Sequence, residues 1–173
     1  AERDPLTGLL NRRGIANQYD SLMRRGFTTF ALIDLDHFKS INDRFGHHVG
    51  DAALIATASA LAPDEDTLAV RLGGEEFMLV LRGADGTLRA ERRRRAITAR
   101  IAETVPQMDR PVTASMGVVE APGESAAGLP FEVLYLRADK LLYRAKNEGR
   151  NRYLRETLVF GEPPRDDHQA VAA

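Results

Sequence analysis

The stretch RLGGEEFMLVL, residues 71–81, places two glycines and two adjacent glutamates inside an otherwise apolar run. Gly73 and Gly74, between two β-forming segments, predict a two-residue hairpin, because the favoured hairpin turns need positive φ angles. The cross-strand pairs expected from that turn are Leu72–Glu75, Arg71–Glu76 and Val70–Phe77. Taken alone, the hairpin favours a plain structural interpretation, in which the acids flank a polar turn and Arg71 forms an ion pair with Glu76.

A second pair of acidic residues ends the strand that we expect over residues 27–36. Asp34 and Asp36 close the apolar run FALIDLD and share one face, because side chains alternate along a strand. Carboxylates gathered from two strands would be costly unless a cation neutralised them. Oxygen ligands of this kind suit Mg²⁺ or Mn²⁺, and carboxylate-held metal pairs serve phosphoryl and nucleotidyl transfer. The pattern alone does not show that the two strands are neighbours.

Length and composition limit the classes of protein that the chain can belong to. Its 173 residues fit one domain with a sizeable core, and its net charge of −1 argues against a general nucleic-acid-binding surface. The chain has no cysteine, which excludes disulfides and thiolate metal sites. Its apolar runs are shorter than the roughly 18 residues that span a bilayer. We therefore expect a cytoplasmic domain, whose parent protein could carry a membrane anchor.

Hydrophobic periodicity and turn residues predict helices and strands in alternation. The expected helices span residues 12–25, 38–45, 50–62, 88–104 and 131–148. The expected strands span residues 27–36, 67–72, 75–81, 111–120 and 151–156. Because the alternation is imperfect and includes a hairpin, the predicted fold class is α+β with a mixed or antiparallel sheet. The domain is expected to cover residues 1–156, followed by a disordered tail over 157–173.

A run of four arginines at 92–95 has two interpretations. It could form a patch that binds phosphate or nucleic acid, or it could be an exposed helix face stabilised by i,i+4 pairs such as Glu91–Arg95. Charge runs of this kind usually form a solvated helix face, and we expect that here.

Four long motifs follow one another along the chain. They are DPLTGLLNRR (4–13), DLDHFKSINDRFGHHVGD (34–51), RLGGEEF (71–77) and ADKLLYRAKNEGRNR (138–152). In order and spacing they resemble the GGDEF-type diguanylate cyclases, which condense two GTP molecules into cyclic di-GMP; GGEEF is an accepted variant of the signature. The resemblance covers roughly residues 4–153. It implies a five-stranded mixed sheet surrounded by helices, similar to nucleotidyl cyclases and to the palm of DNA polymerases.

The resemblance implies catalytic roles for the acidic residues. Asp34 and Glu75 would be metal carboxylates, joined as a ligand by the main-chain carbonyl of Leu35. Glu76 would lie beside them, either as a ligand of a second metal or as a group acting on the ribose 3′-hydroxyl. Two Mg²⁺ or Mn²⁺ ions are therefore expected in each active site.

The same resemblance assigns the phosphates of GTP to two places in the chain. Backbone N–H groups near Phe38 and Lys39 would meet the β- and γ-phosphates. Lys146 and Arg150, expected one helical turn apart, would neutralise the same phosphates. Without the resemblance, the preferred interpretation of Lys146 and Arg150 would be a solvated helix C-terminus that the helix dipole favours.

The guanine is assigned to a third place. Asn42 and Asp51 would read the base, and Leu54 would line its pocket. Without the resemblance, helix capping would be the preferred interpretation of Asn42 and Asp51. Gly73 and Gly74, which lack side chains, would let the hairpin backbone approach the nucleotide closely.

The implied partners are GTP as substrate, cyclic di-GMP as product and a second copy of the domain. A homodimer is expected because one domain binds one GTP, and an upstream sensor or receiver domain would control it. No nucleic acid is expected. Two alternatives stay open: a catalytically weak or inactive domain that binds GTP or cyclic di-GMP, and a related cyclase with a different cyclic product.

The chain departs from the family at one point. Many members carry an Arg-x-x-Asp product-inhibition site, whose arginine and aspartate would fall at positions 64 and 67. Here these positions are Asp64 and Thr67. An acid in place of a phosphate-binding arginine should repel cyclic di-GMP, so we expect no high-affinity product site of the usual kind.

Overall fold

The computed structural model describes residues 1–123 and 128–159 in full, together with the backbone of residues 170–172. The helices are α1 (Arg12–Arg24), α2 (Phe38–Phe45), α3 (His47–Leu61), α4 (Gly86–Thr104) and α5 (Phe131–Asn147). The strands are β1 (Phe27–Leu35), β2 (Thr67–Gly73), β3 (Glu76–Arg82), β4 (Ala114–Glu120), β5 (Arg152–Thr157) and β6 (Ala170–Ala172). None of the helices within these ranges is long and apolar enough to cross a membrane.

The strands form one mixed sheet in the order β2-β3-β1-β4-β5-β6. β1 lies at its centre and runs antiparallel to both β3 and β4, whereas β4 and β5 run parallel. Parallel neighbours need a crossover connection, and α5 provides it. The expected α+β fold with a five-stranded mixed sheet is confirmed, and the short β6 adds a strand antiparallel to β5 at one edge.

Helices cover both faces of the sheet, because its central strands are apolar on both sides. Side chains of α2, α3 and α4 pack against one face, and those of α1 and α5 pack against the other. β1 is buried at eight of its nine positions. An acidic residue at the end of this strand therefore lies in a setting where an unpaired charge is costly.

The first helix begins at residue 12, as expected, and a later one does not begin where it was expected. Asn11 accepts a hydrogen bond from the N–H of Gly14 (2.9 Å), as an N-cap residue does. α3 was expected to begin at Gly50 and instead begins at His47. The reason is Gly46, whose φ of 89° reverses the chain directly after α2, so that one residue separates the two helices.

The hairpin is present, but the expected pairing across it is wrong by one residue. The observed pairs are Val70–Met78, Arg71–Phe77 and Gly73–Glu76. The ladder shifts between Arg71 and Gly73, which makes Leu72 an extra residue of the β-bulge kind. The turn therefore consists of Gly74 and Glu75 rather than of the two glycines. Gly74 has a φ of 50°, and Gly73, which ends β2, also has a positive φ (153°).

The expected exposed arginine face on α4 is correct for Arg95 and wrong for Arg94. Arg95 pairs with Glu91 (3.1 Å) as predicted. Arg94 is 1% exposed and bonds both oxygens of Glu91 (2.5 and 2.8 Å), the Ala114 carbonyl (2.9 Å) and the Asn151 side chain (3.0 Å). It is buried because it falls on the face that α4 turns toward the sheet, where its guanidinium finds partners on other elements.

Most of the tail that was predicted to be disordered lies outside the described residues. The part that is described continues the domain past the expected boundary at residue 156. Strand β5 ends at Thr157, and the N–H of the buried Leu158 donates to the carbonyl of Glu120 (2.8 Å).

Candidate active site

The acidic residue at the end of β1 and the two glutamates of the hairpin, which lie far apart in the sequence, are neighbours in the sheet. Asp34, near the end of β1, is the direct cross-strand neighbour of Glu76, at the start of β3. The main-chain N–H of Leu35 donates to the carbonyl of Glu75 (3.5 Å), so the hairpin turn lies beside the end of β1. Backbone pairing therefore places Asp34 and both glutamates at one edge of the sheet.

Asp34 lies in an unfavourable environment for a carboxylate. Burial raises its pKa to about 6, and the charges of Glu75 and Glu76 act in the same direction. Lys146 forms an ion pair with Oδ2 and opposes the rise in pKa. The other oxygen, Oδ1, is buried and has no hydrogen-bond partner. A buried, unpartnered carboxylate oxygen beside two further carboxylates is a setting that a divalent cation would stabilise.

Asp36 does not share this character. Its oxygens accept hydrogen bonds from the hydroxyls of Thr113 (2.6 Å) and Ser115 (2.7 Å) and from the main-chain N–H of Asn151 (3.1 Å). The carboxylate thus joins the end of β1 to the segments that begin β4 and β5. The hydrogen bonds of Asp36 therefore serve the structure. Of the two aspartates, only Asp34 has a buried oxygen without a hydrogen-bond partner among the described residues.

The donor set fits a hard divalent cation that shares its shell with a substrate. No three Asp, Glu or His side chains in the described ranges converge closely enough to hold an ion by themselves. Asp34 is paired with Lys146, and Glu76 accepts a hydrogen bond from Tyr135. Mg²⁺ needs no cage of protein ligands, because it commonly takes one or two carboxylates and fills its other positions with water and phosphate oxygens.

A cavity of about 310 Å³ adjoins the acid pair. Its lining residues are Asp34, Glu76, Asp139, Lys140, Leu142, Tyr143 and Lys146. A larger cavity of about 580 Å³ lies between α2 and residues 108–113, and none of the residues predicted for the site lines it. Of these two cavities, the smaller one adjoins predicted site residues, namely Asp34, Glu76 and Lys146, and its volume is near the lower limit for small-molecule sites.

The start of α2 has the form of an anion site. His37, the residue before the helix, has a left-handed backbone (φ 58°), and its side chain does not cap the first turn. The first N–H groups of a helix have no partner within it, and they attract negative charge. Phe38 is buried at this end, whereas Lys39 is exposed and pairs with Asp43 (2.7 Å).

Asn42 and Asp51 do not cap the helices that contain them. Asn42 lies inside α2 and Asp51 inside α3, and the caps of both helices are other residues. Asn42 Oδ1 is buried without a hydrogen-bond partner. A Cβ on Gly50 would lie 1.8 Å from that oxygen, so the close approach of Asn42 to α3 requires glycine at this position. Leu54 is buried one turn beyond Asp51.

The hairpin turn is open on its outer side. A Cβ added to Gly73 or Gly74 would meet no described atom within 4 Å. The expected ion pair between Arg71 and Glu76 is wrong, because the one-residue shift moves the two side chains apart. Arg71 instead donates hydrogen bonds to the carbonyl of Gly74 (3.0 and 2.9 Å) and to the carboxylate of Asp4 (3.1 Å). These bonds connect the turn to the N-terminal segment.

Lys146 and Arg150 were expected to lie one helical turn apart, and this expectation is wrong. α5 ends at Asn147, and Arg150 follows it with a left-handed backbone (φ 63°). Its N–H donates to the carbonyl of Ala145 (3.0 Å) and closes the end of the helix. Gly149, with a φ of 122°, permits this turn. Lys146 reaches the acid pair, whereas the exposed Arg150 lies beyond the helix.

Tyr135 was not predicted to belong to the site, yet its hydroxyl donates to Glu76 Oε1 (2.8 Å). Burial raises the pKa of Tyr135 to about 12, and the hydrogen bond to Glu76 adds to the rise. A signal was present in the helical period. Tyr135 and Lys146 are eleven residues apart in α5, which is about three turns, so they share one face of the helix.

The fold and this site define an α+β domain that presents carboxylates from two paired strands beside an uncapped helix start. The sequence model described as "Diguanylate cyclase, GGDEF domain" matches residues 1–152. The chain belongs to the GGDEF domain family of diguanylate cyclases.

Two curated relatives resemble the chain over most of its length. Diguanylate cyclase VdcA of Vibrio cholerae is 38% identical over 161 residues, which cover 87% of this chain and 46% of VdcA. Response regulator PleD of Caulobacter vibrioides is 40% identical over 164 residues, which cover 87% of this chain and 35% of PleD. The chain thus spans less than half the length of either relative.

Two solved structures share the fold. One is diguanylate cyclase SiaD in complex with its activator SiaC from Pseudomonas aeruginosa, with a TM-score of 0.70, 34% identity, and coverage of 87% of this chain and 60% of that chain. The other is the GGDEF domain of DgcB from Caulobacter crescentus in complex with c-di-GMP, with a TM-score of 0.70, 31% identity, and coverage of 87% and 93%.

Proposed function

We propose that this domain is a diguanylate cyclase, which joins two GTP molecules into cyclic di-GMP and releases two pyrophosphates. The observation that carries the proposal is the cross-strand pair of Asp34 and Glu76, with the unpartnered Oδ1 of Asp34, in a chain of the GGDEF family. In each half of the reaction, the 3′-oxygen of one GTP attacks the α-phosphorus of the other. The bond to pyrophosphate breaks, and the hydroxyl proton passes to a carboxylate or to water.

The acidic residues at the end of β1 and the start of β3 would hold two Mg²⁺ or Mn²⁺ ions. Asp34, Glu75, Glu76 and the carbonyl of Leu35 are the proposed ligands. When bound, the metal stabilises the attacking 3′-oxygen and the charge that builds on the leaving pyrophosphate. The residues supply fixed negative charge in a partly buried setting, where electrostatic interactions are stronger than in water.

The triphosphate is assigned to the start of α2 and the end of α5. The backbone N–H groups of Phe38 and Lys39 would donate to the phosphates, and the uncapped first turn of α2 supports this assignment. Lys146 is partly exposed, so its ammonium can bond a phosphate oxygen as well as Asp34. Arg150 would add a second positive charge from beyond the end of the helix.

The guanine is assigned to the contact between α2 and α3. Asp51 can accept hydrogen bonds from guanine N1–H and N2–H₂, and the unpartnered Oδ1 of Asn42 supplies another acceptor nearby. Adenine presents a bare acceptor at N1, which would face the carboxylate without a donor between them. An unpaired polar contact of this kind discriminates strongly against the wrong base, so ATP should be a poor substrate. Leu54 would line the pocket.

Two domains must face each other for the reaction, because each would bind a single GTP. We assign control of this pairing to a sensor or receiver domain elsewhere in the parent protein. The isolated chain is therefore proposed to be mostly monomeric and weakly active.

Incubation with GTP and Mg²⁺, followed by mass analysis of the products, tests the function directly. We expect cyclic di-GMP and pyrophosphate from GTP, little product from ATP, and a rate per domain that rises with protein concentration. A rate per domain that stays constant on dilution, with no dimer detected, would contradict the requirement for two domains. GTP binding without turnover would instead favour a nucleotide-binding module.

A second prediction concerns feedback by the product. Asp64 forms an ion pair with Arg93 (3.0 Å), and the fully buried Thr67 accepts a hydrogen bond from Arg89 (3.1 Å). Both positions are thus engaged within the domain, and Asp64 would repel a phosphate. We expect cyclic di-GMP to inhibit only by competition with GTP, as measured by initial rates over a range of both nucleotides. Tight, saturable product binding that Asp64→Ala removes would refute this expectation.

A further inference from the structure

Helix α5 touches the acid pair at two points, and the proposed mechanism uses only one of them. Lys146 pairs with Asp34, as described above. Three turns earlier, the hydroxyl of Tyr135 donates to Glu76 Oε1 (2.8 Å). Among the residues that the structure describes, Tyr135 is the one hydrogen-bond partner of the Glu76 carboxylate. Its hydroxyl therefore decides how that carboxylate is oriented.

The consequence for Glu76 concerns its two oxygens. A carboxylate on a three-bond stem can present either oxygen to a cation unless one of them is fixed. The hydrogen bond from Tyr135 fixes Oε1, which leaves Oε2 free to bind a metal or to act on a 3′-hydroxyl. Outer groups that orient a ligand in this way generally tune its affinity for the metal.

Tyr135 is itself held in place. The guanidinium carbon of Arg12 lies 4.6 Å from the centroid of the Tyr135 ring, within the range of a cation–π contact. Arg12 is in turn paired with Glu132 (3.2 Å), one turn before Tyr135 in α5. The ring thus contacts α1 as well as α5, and these contacts favour the position in which its hydroxyl meets Glu76.

We infer that Tyr135 is a positioning residue for Glu76: it holds Oε1 so that Oε2 faces the metal and the 3′-hydroxyl, and Arg12 holds the Tyr135 ring. This inference rests on the proposed function of the site. It gives the second turn of α5 a role in catalysis that is separate from the phosphate-binding role of its last turn.

The test removes one oxygen atom from each of two tyrosines. Tyr135→Phe keeps the ring and its contact with Arg12 but loses the hydrogen bond to Glu76. Tyr19→Phe is the matched control, because its hydroxyl donates to the carbonyl of Leu129 (2.7 Å) and does not touch the site. We expect Tyr135→Phe to lower kcat by about 10- to 100-fold with KM for GTP within about twofold of the parent value. Tyr19→Phe should leave both unchanged.

A second readout is independent of turnover. Binding of Mn²⁺ in the presence of 3′-deoxy-GTP, which lacks the attacking hydroxyl, is measured from the spin-resonance signal of free Mn²⁺. We expect Tyr135→Phe to weaken this affinity by about tenfold, and Glu76→Gln serves as the reference that loses the ligand charge. Unchanged Mn²⁺ affinity in Tyr135→Phe, where Glu76→Gln weakens it, would overturn the inference.

The two readouts separate failure of this inference from failure of the proposed function. If the parent chain makes no cyclic di-GMP, the proposed function fails and the Mn²⁺ titration still tests Tyr135. If the parent chain is active and Tyr135→Phe matches it in kcat, only the role of Tyr135 is refuted.

Discussion

Asp34→Asn is expected to abolish synthesis of cyclic di-GMP, with a loss in kcat of at least about 10³-fold. Asparagine keeps the shape of the side chain but brings no negative charge, and its amide nitrogen cannot bind a cation. The loss corresponds to several kcal/mol of transition-state stabilisation, at about 1.4 kcal/mol for each factor of ten. Release of pyrophosphate under saturating GTP and Mg²⁺ measures the effect.

The same variant should fold normally, which separates a chemical defect from a structural one. In the metal-free protein, a buried carboxylate with one unpartnered oxygen costs free energy, and asparagine removes that cost. Lys146 is partly exposed and can turn toward water. We expect a melting temperature equal to or above that of the parent chain. Asp20→Asn, on the exposed face of α1, is the control; an Asp34→Asn variant with parent-like turnover would remove Asp34 from the mechanism.

Arg94→Ala is expected to lower the free energy of unfolding by about 3–5 kcal/mol. The guanidinium is 1% exposed, and the Glu91 side chain that it bonds is 8% exposed. Removing the cation leaves the Glu91 carboxylate buried, with the exposed Arg95 as its remaining ion-pair partner among the described residues, and it also takes a donor from the Ala114 carbonyl. Breaking a buried pair in this way costs far more than losing a surface pair. The midpoint of urea denaturation measures the change.

Arg92→Ala is the matched control, because Arg92 belongs to the same run of arginines and is exposed. Its effect should stay within about 0.5 kcal/mol. The double variant Arg94→Met with Glu91→Leu should recover much of the stability, since apolar residues of similar volume often replace a buried ion pair at little cost. Equal effects of Arg94→Ala and Arg92→Ala would show that burial of Arg94 is energetically unimportant.

The parts of the fold that local rules control could be predicted from the sequence. Asn11 sets the start of α1, because its side chain satisfies a free N–H at the helix start. The apolar run that ends at Asp34 predicts a strand, and the order of the sequence motifs predicts the family. The motifs also identify the acidic residues of the candidate site, but the proximity of these residues depends on the pairing between β1 and β3.

What the sequence could not supply depends on contacts between distant segments. The bulge at Leu72 shifts the hairpin by one residue, and no turn preference reveals such an insertion. Arg94 looks like its three neighbours until α4 is packed on the sheet. The bond between Tyr135 and Glu76 joins residues 59 positions apart, so neither residue signals the other in the sequence.

The direct pairing of Asp34 with Glu76 has a consequence for how this protein tolerates changes in length. The separation of the two acids is set by ladder hydrogen bonds between adjacent strands and by no connecting loop. Insertions in the connections from β3 to α4 or from β4 to α5 can therefore accumulate without moving the acids, as surface connections usually permit. A single deletion inside β1 or β3 would turn one of the carboxylates to the opposite face of the sheet.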